Sequence, residues 1–160
     1  MDLLARSRSF EGANARFHRV LRDAVAGKPV KIAILGASVT AGQGVLPHEN
    51  WPNIFATWWR KQFTGELTIQ NGAVRAVGSS YFSVCYAEHI DEDADIVITE
   101  LAINEPYAEE FARTYELLLR QLLLLPKKPA VLNLRVFELA LHSIARAGDI
   151  QSGKLARFYY

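Results

Sequence analysis

Residues 30–44 constrain the fold most, because they join a buried strand to a glycine-rich turn. The run from Val30 to Leu35 is short, apolar and rich in β-branched residues, which predicts a buried strand. The strand stops at Gly36, and two more glycines follow within eight residues. Open α/β sheets bind their ligands at the carboxyl ends of such strands. Ser38, two residues past the strand, is therefore a candidate site residue.

The glycine spacing separates two interpretations of this turn. Gly36, Gly42 and Gly44 do not form the G-x-G-x-x-G pattern of dinucleotide sites, and no G-K-[ST] follows them for a P-loop. A nucleotide-binding α/β domain is therefore disfavoured, although it stays open as an alternative, as does a plain tight turn. The other interpretation is that Ser38 is a nucleophile facing a crevice.

Composition excludes several classes of protein. The chain has 160 residues and a net charge of +1, with 18 basic against 17 acidic residues, so it lacks the basic patch of a nucleic-acid-binding protein. Its single cysteine excludes a disulfide framework and a multi-cysteine metal site, and we predict no cofactor and no metal. No window reaches the roughly 18 apolar residues of a membrane span, and arginines interrupt any signal-peptide core. We therefore expect a soluble protein, compatible with the cytoplasm.

Helical and strand patterns alternate along the chain. Strands are predicted at 30–35, 67–70, 94–101 and 130–137, and helices at 2–26, 49–63, 80–90 and 106–125, with weaker helical patterns over 138–147 and 150–160. This alternation predicts a parallel sheet in the order 2-1-3-4, with helices on both faces. We expect a single domain over 1–160, in which an N-terminal helix (1–29) precedes an α/β core (30–160).

Other prominent residues have structural interpretations. Trp58 and Trp59 are predicted to lie in the core beneath the second helix, and Asn50 is predicted to cap that helix. Cys85 is predicted to be a small buried residue. His89 is predicted to lie on the surface near a helix C-terminus.

Small or polar residues follow each of the first three predicted strands. Ser38 follows the first strand, Gly72 the second and Asn104 the third. The carboxyl ends of parallel strands meet at one edge of a sheet, so we expect these residues to converge there. Their convergence predicts a ligand site at that edge.

These three segments resemble the sequence blocks of the SGNH (GDSL-type) esterase family. The family's first block places Gly-Asp-Ser after a strand, and here the segment reads Gly36-Ala37-Ser38. The second block contributes a glycine, matched by Asn71-Gly72-Ala73, and the third is Gly-x-Asn-Asp-like, matched by Ala102-Ile103-Asn104-Glu105. The segments look most like the eukaryotic branch that contains fungal capsule-associated proteins. The resemblance covers about residues 30–160.

The resemblance implies a flavodoxin-like, three-layer α/β/α sandwich and ester chemistry. It implies a small ester or an O-acylated carbohydrate as substrate, and either hydrolysis or acyl (acetyl) transfer as reaction. Ser38 would be the nucleophile. The backbone N–H groups of Ser38 and Gly72 and the side-chain amide of Asn104 would form the oxyanion hole.

The main departure from the family is the missing Asp-x-x-His block, which supplies the general base. No aspartate of the chain has a histidine three residues later, and no fifth strand is predicted, so we interpret the core as truncated at its C-terminal end. His48 and His142 are the candidate bases. A serine without a base is a weak nucleophile, so the alternative is an inactive protein that binds a glycan or acyl group. The uncovered fourth strand also predicts a homodimer through that edge.

Overall fold

The computed structural model describes residues 12–105 and 109–136, and all structural statements refer to that part of the chain. Helices and strands alternate in the order α1 (Ala15–Val25), β1 (Val30–Gly36), α2 (Trp51–Gln62), β2 (Leu67–Asn71), α3 (Ser79–Cys85), β3 (Ile96–Glu100), α4 (Glu109–Leu124) and β4 (Ala130–Asn133). Single 3-10 turns occur at Pro47–Glu49, Tyr86–Glu88 and Ala102–Asn104. The first residues of the predicted N-terminal helix, the predicted helices after residue 137 and His142 lie outside the described residues.

The strands form a parallel sheet in the order β2-β1-β3-β4, which confirms the predicted order. β1 lies in the interior of the sheet, where Ile34 pairs with Asn71 of β2 on one side and with Ile98 of β3 on the other. All strands run in the same direction, so their carboxyl ends lie along one edge. Ser38 follows β1 at that edge, and Asn104 follows β3.

Alternate residues of β1 enter two separate cores. Ile32 and Ile34 pack with α1 and α2 on one face of the sheet, whereas Ala33 and Leu35 pack with α3 and α4 on the other. All four side chains are fully buried, because a strand interior to a parallel sheet has helices on both faces. The predicted three-layer α/β/α sandwich is therefore confirmed.

Two arginines attach α1 to the end of α4 and to the loop that leads into β4. The Arg16 guanidinium donates hydrogen bonds to the carbonyl oxygens of Leu123 (2.9 Å) and Pro129 (3.3 Å). Arg19 donates to the carbonyl oxygens of Lys127 (3.1 Å) and Lys128 (2.9 Å). The helix that precedes the α/β core is thus held to the far end of the sheet by charge-assisted hydrogen bonds.

Only one of the two adjacent tryptophans of α2 lies in the core. Trp59 is 3% exposed, whereas Trp58 is 50% exposed and stacks on Phe55 with ring centroids 5.8 Å apart. The prediction that Trp58 lies in the core is wrong, because successive residues of a helix point about 100° apart. Neighbouring residues also differ at the end of α1, where Val25 is exposed although Ala24 is buried.

β4 is the outer strand of the sheet that the described residues form. Ala130 and Val131 are buried, and Leu134, just after the strand, is partly exposed. The predicted homodimer through this edge stays a prediction, which light scattering at high protein concentration would test. Within the same part of the chain, no helix combines the length and apolar character needed to cross a bilayer.

Candidate active site

Ser38 lies in a tight turn immediately after β1 and is half-buried. The Ala41 N–H donates to the Ala37 carbonyl oxygen (2.9 Å), and the Gln43 N–H donates to the Ser38 carbonyl oxygen (3.0 Å), so the turn is closed on itself. Within the described residues, neither the hydroxyl nor the backbone N–H of Ser38 has a hydrogen-bond partner. As far as the described residues extend, both groups are therefore free to bond with a ligand.

Asn104 ends the 3-10 turn after β3 and is also half-buried. Its Nδ2 donates one hydrogen bond to the Val77 carbonyl oxygen, at 3.1 Å. A side-chain amide carries two N–H donors, so a second donor is left for a ligand while the first fixes the orientation of the amide. An amide held in this way is an uncharged hydrogen-bond donor that is already oriented before negative charge develops on a substrate oxygen.

The backbone ladder between β1 and β2 continues past Gly72. The Gly72 N–H donates to the Ile34 carbonyl oxygen (2.9 Å), and the Val74 N–H donates to the Gly36 carbonyl oxygen (2.9 Å). The Gly72 N–H is thus used within the sheet and is not available to an oxyanion. A Cβ at this position would lie 2.5 Å from the His89 carbonyl oxygen. The oxyanion role predicted for Gly72 does not fit this geometry, and the glycine is explained by its packing against His89.

Gly78 is the glycine of this loop that lies beside Asn104. A Cβ on Gly78 would be 3.2 Å from the Asn104 carbonyl oxygen and 2.9 Å from Oε1 of Glu105. In the described part of the chain its N–H has no hydrogen-bond partner. Sequence reasoning missed Gly78 because it ended the second strand at Asn71-Gly72. The available signal was the Gly78-Ser79-Ser80 segment at the start of a helix.

Glu105 holds the segment that contains Gly78. Its carboxylate accepts the backbone N–H of Ser79 (2.6 Å) and the Ser79 hydroxyl (3.0 Å), and that hydroxyl also lies 2.9 Å from Oγ1 of Thr114. Glu105 is 5% exposed. Burial raises the pKa of this carboxyl above its ordinary value of 4.5, and the hydrogen bonds from Ser79 oppose the rise. The carboxyl next to Asn104 therefore has a structural role at the start of α3.

The raised pKa of Glu105 predicts a specific pH dependence of stability. The folded state holds this proton more tightly than the unfolded state, so the free energy of unfolding should fall as pH rises from 4.5 through the folded-state pKa. Each unit by which the folded-state pKa exceeds 4.5 lowers the free energy of unfolding by about 1.4 kcal/mol between low and neutral pH. We expect Glu105→Gln to reduce this fall, measured by urea unfolding between pH 4.5 and 7.5. Glu66→Gln, at an exposed position, is the control, and an unchanged pH dependence in Glu105→Gln would contradict the assignment.

Within the described residues, no histidine side chain is hydrogen-bonded to Ser38. His48 lies exposed in the 3-10 turn Pro47–Glu49 and forms no hydrogen bond with Ser38. His89 is half-buried, and its Nε2 lies 2.9 Å from the Tyr81 hydroxyl. His48 therefore stays a predicted base that is not hydrogen-bonded to Ser38, and the second predicted base, His142, lies outside the described residues.

The packing role of Gly72 predicts the effect of a methyl group there. We expect Gly72→Ala to lower the free energy of unfolding by about 1–3 kcal/mol, the usual effect of overpacking, because the new Cβ would meet the His89 backbone. Since the Gly72 N–H is already bonded within the sheet, the reactivity of Ser38 in the folded fraction should stay unchanged. Urea unfolding and covalent labelling of Ser38 check the two effects separately. A loss of labelling without a loss of stability would contradict the packing role, because it would mean that the added methyl group obstructs the site of Ser38.

Comparison with known proteins places this arrangement in a fold family. No protein-family model and no curated protein matches the sequence. Among solved structures, a two-domain esterase (CEX) active on acetylated mannans is 29% identical to the chain over 93% of its length, with a TM-score of 0.82. The same esterase co-crystallised with mannopentaose is 28% identical over 82% of the chain, with a TM-score of 0.78. AlinE4, an SGNH-hydrolase family esterase, matches over 67% of this chain and 59% of its own, at 19% identity and a TM-score of 0.52. The chain has an SGNH-hydrolase fold.

The match to the two-domain esterase is partial on that protein's side. The chain spans 40% of its length in one structure and 37% in the other. These similarities confirm the predicted SGNH-type fold. They do not show the resemblance to the capsule-associated branch, which stays a prediction.

Proposed function

We propose that this chain provides the nucleophile and the oxyanion-binding groups of an SGNH-type serine esterase or acyltransferase that acts on O-acylated carbohydrates. The observation that carries the proposal is Ser38, whose hydroxyl and N–H are both unpartnered within the described residues. It follows β1 at the sheet edge that also carries Asn104. The carbohydrate substrate is supported by the likeness to an esterase active on acetylated mannans.

The proposed reaction begins with attack of the Ser38 Oγ on the ester carbonyl carbon. A C–O bond forms, the carbonyl π electrons move onto oxygen, and the serine proton passes to a general base. The N–H groups of Ser38 and Gly78 and the amide of Asn104 would bind the oxyanion, with Gly78 taking the place first predicted for Gly72. Collapse then expels the sugar oxygen, which takes a proton, and leaves an acyl-serine. Water completes a hydrolysis, and an acceptor hydroxyl completes a transfer.

The general base of this reaction is proposed to be one of two histidines. His48 is carried by the loop between β1 and α2, the same connection that contains Ser38. His142 follows β4 in sequence and lies outside the described residues. The activities of His48→Ala and His142→Ala would identify which histidine is needed. His18→Ala, at an exposed position of α1, is the control for both.

Release of acetate from acetylated mannan tests the proposed activity. The purified chain should release acetate, and a chemically deacetylated mannan should give only the background signal. p-Nitrophenyl acetate serves as a second, unselective substrate. If a folded chain releases acetate from neither substrate, the proposed catalytic function is wrong for this chain.

A binding function is the second candidate, and one observation favours it. Among residues 12–105 and 109–136, no histidine is hydrogen-bonded to Ser38, and a serine hydroxyl without an adjacent base reacts poorly. On this proposal the chain would bind an acetylated manno-oligosaccharide without turnover. Titration calorimetry should then show that the acetylated oligosaccharide binds more tightly than the deacetylated one. That result, together with an absence of acetate release, would favour binding over catalysis.

A further inference from the structure

Thr40 connects the Ser38 turn to three other parts of the fold. It is fully buried, and its hydroxyl donates to Oε2 of Glu100 (2.8 Å) while accepting a hydrogen bond from Nε1 of Trp51 (3.2 Å). Its carbonyl oxygen accepts hydrogen bonds from the side-chain amides of Asn50 (3.1 Å) and Asn71 (3.0 Å). The turn is therefore bonded to the end of β2, the end of β3 and the start of α2 through this one residue.

Thr40 also packs directly on the last residue of β1. A Cβ on Gly36 would overlap the Cβ and Oγ1 of Thr40, so the glycine is what allows the turn to fold back over the strand. Ser38 lies between these two residues, and its own side chain makes no hydrogen bond within the described residues. Its position is consequently set by the residues on either side of it.

Glu100 is an unusual residue for the position beneath this turn. It is fully buried at the end of β3, and its Oε1 has no hydrogen-bond partner within the part of the chain that the structure describes. Burial raises the pKa of Glu100, while the hydrogen bond from the Thr40 hydroxyl opposes the rise. Ile96 and Ile98, on the same face of the strand, fill equivalent positions with aliphatic side chains. An aliphatic residue here would avoid the cost of burying a carboxyl, so stability alone does not explain Glu100.

We propose that Glu100, acting through Thr40, is a positioning residue that fixes the turn carrying Ser38. The Glu100–Thr40 hydrogen bond connects the turn to β3, the strand that leads to Asn104. The positions of Ser38 and Asn104 are therefore both fixed by the same strand. The consequence for reactivity rests on the function proposed above. The consequence for the rigidity of the turn does not.

Hydrogen exchange measures that rigidity without any need for activity. The amides of Ala41 and Gln43 close the turn, and mass spectrometry of peptides that span them reports their protection. We expect Thr40→Val and Glu100→Met to accelerate this exchange about tenfold, the effect of losing one buried hydrogen bond. Thr40→Ser keeps the hydroxyl donor and Glu100→Gln keeps an oxygen acceptor, so the amides of Ala41 and Gln43 should stay as protected as in the wild-type chain. Thr57→Val is the matched control, because the Thr57 hydroxyl donates within α2 to the Asn53 carbonyl oxygen.

A second readout separates positioning from a purely structural role. Glu100→Met should unfold at the same or a higher urea concentration than the wild-type chain, while the rate of Ser38 labelling by a fluorophosphonate falls about tenfold. If Glu100→Met fails to fold, Thr40→Val against Thr40→Ser gives the same comparison. Unchanged protection of Ala41 and Gln43 in Thr40→Val would overturn the proposal. A wild-type chain that is protected in the turn but not labelled would overturn the proposed function and leave the positioning role standing.

Discussion

Replacing Ser38 by alanine is expected to reduce hydrolysis of p-nitrophenyl acetate to the uncatalysed background. Removal of the nucleophile alone costs roughly 10⁶ in turnover in a serine protease, so no residual activity above the blank should be measurable. The substitution should leave folding intact, because the Ser38 hydroxyl has no hydrogen-bond partner within the described residues. The two measurements are therefore the initial rate of hydrolysis and the urea midpoint.

Ser80→Ala is the matched control for this change. Ser80 is exposed on α3, so the same chemical substitution there should alter neither rate nor stability. Activity in Ser38→Ala close to that of the wild-type chain would remove Ser38 from the mechanism. A loss of activity in Ser38→Ala that is accompanied by a large fall in its urea midpoint would show instead that the change had acted through folding.

Replacing Asn104 by alanine has the second largest expected effect. Loss of one oxyanion donor typically lowers turnover by roughly 10²–10³, and we expect a fall of that size in kcat with little change in KM. The donor acts on charge that develops only in the transition state, so substrate binding should be nearly unaffected. The lost hydrogen bond to the Val77 carbonyl oxygen should also lower the free energy of unfolding by about 1 kcal/mol.

Gln62→Ala provides the control for the loss of an amide. Gln62 is exposed at the C-terminal end of α2, and its replacement should change neither kcat nor KM. An increase in KM at constant kcat in Asn104→Ala would mean that Asn104 binds the ground state of the substrate. An unchanged kcat would exclude it from the oxyanion hole.

The alternation of helices and strands made most of the fold predictable. The apolar run that begins at Val30 is buried on both faces in the structure, and a strand with that pattern is placed inside a parallel sheet by its composition alone. Right-handed crossovers then leave few strand orders, and the predicted one is correct. The location of Ser38 and Asn104 at one edge of the sheet was predictable for the same reason, since they follow neighbouring parallel strands.

The details that sequence reasoning missed depend on contacts between distant residues. Gly72 satisfied the expectation of a glycine after β2, but whether its N–H is free depends on how far the ladder with β1 extends. Gly78 becomes a candidate only once the structure places it beside Asn104. A glutamate at position 100 would ordinarily be predicted to be exposed, whereas in the structure it is buried and accepts a long-range hydrogen bond from the Thr40 hydroxyl.

Covalent labelling of the wild-type chain with a fluorophosphonate tests the central claim most directly. The probe reacts with an activated serine, and intact mass followed by peptide mapping identifies the residue modified. The account predicts one adduct for each chain, on Ser38, and none in Ser38→Ala, with circular dichroism confirming that both proteins are folded. A folded wild-type chain with no adduct, or with its adduct on another residue, would contradict the claim that Ser38 is the nucleophile.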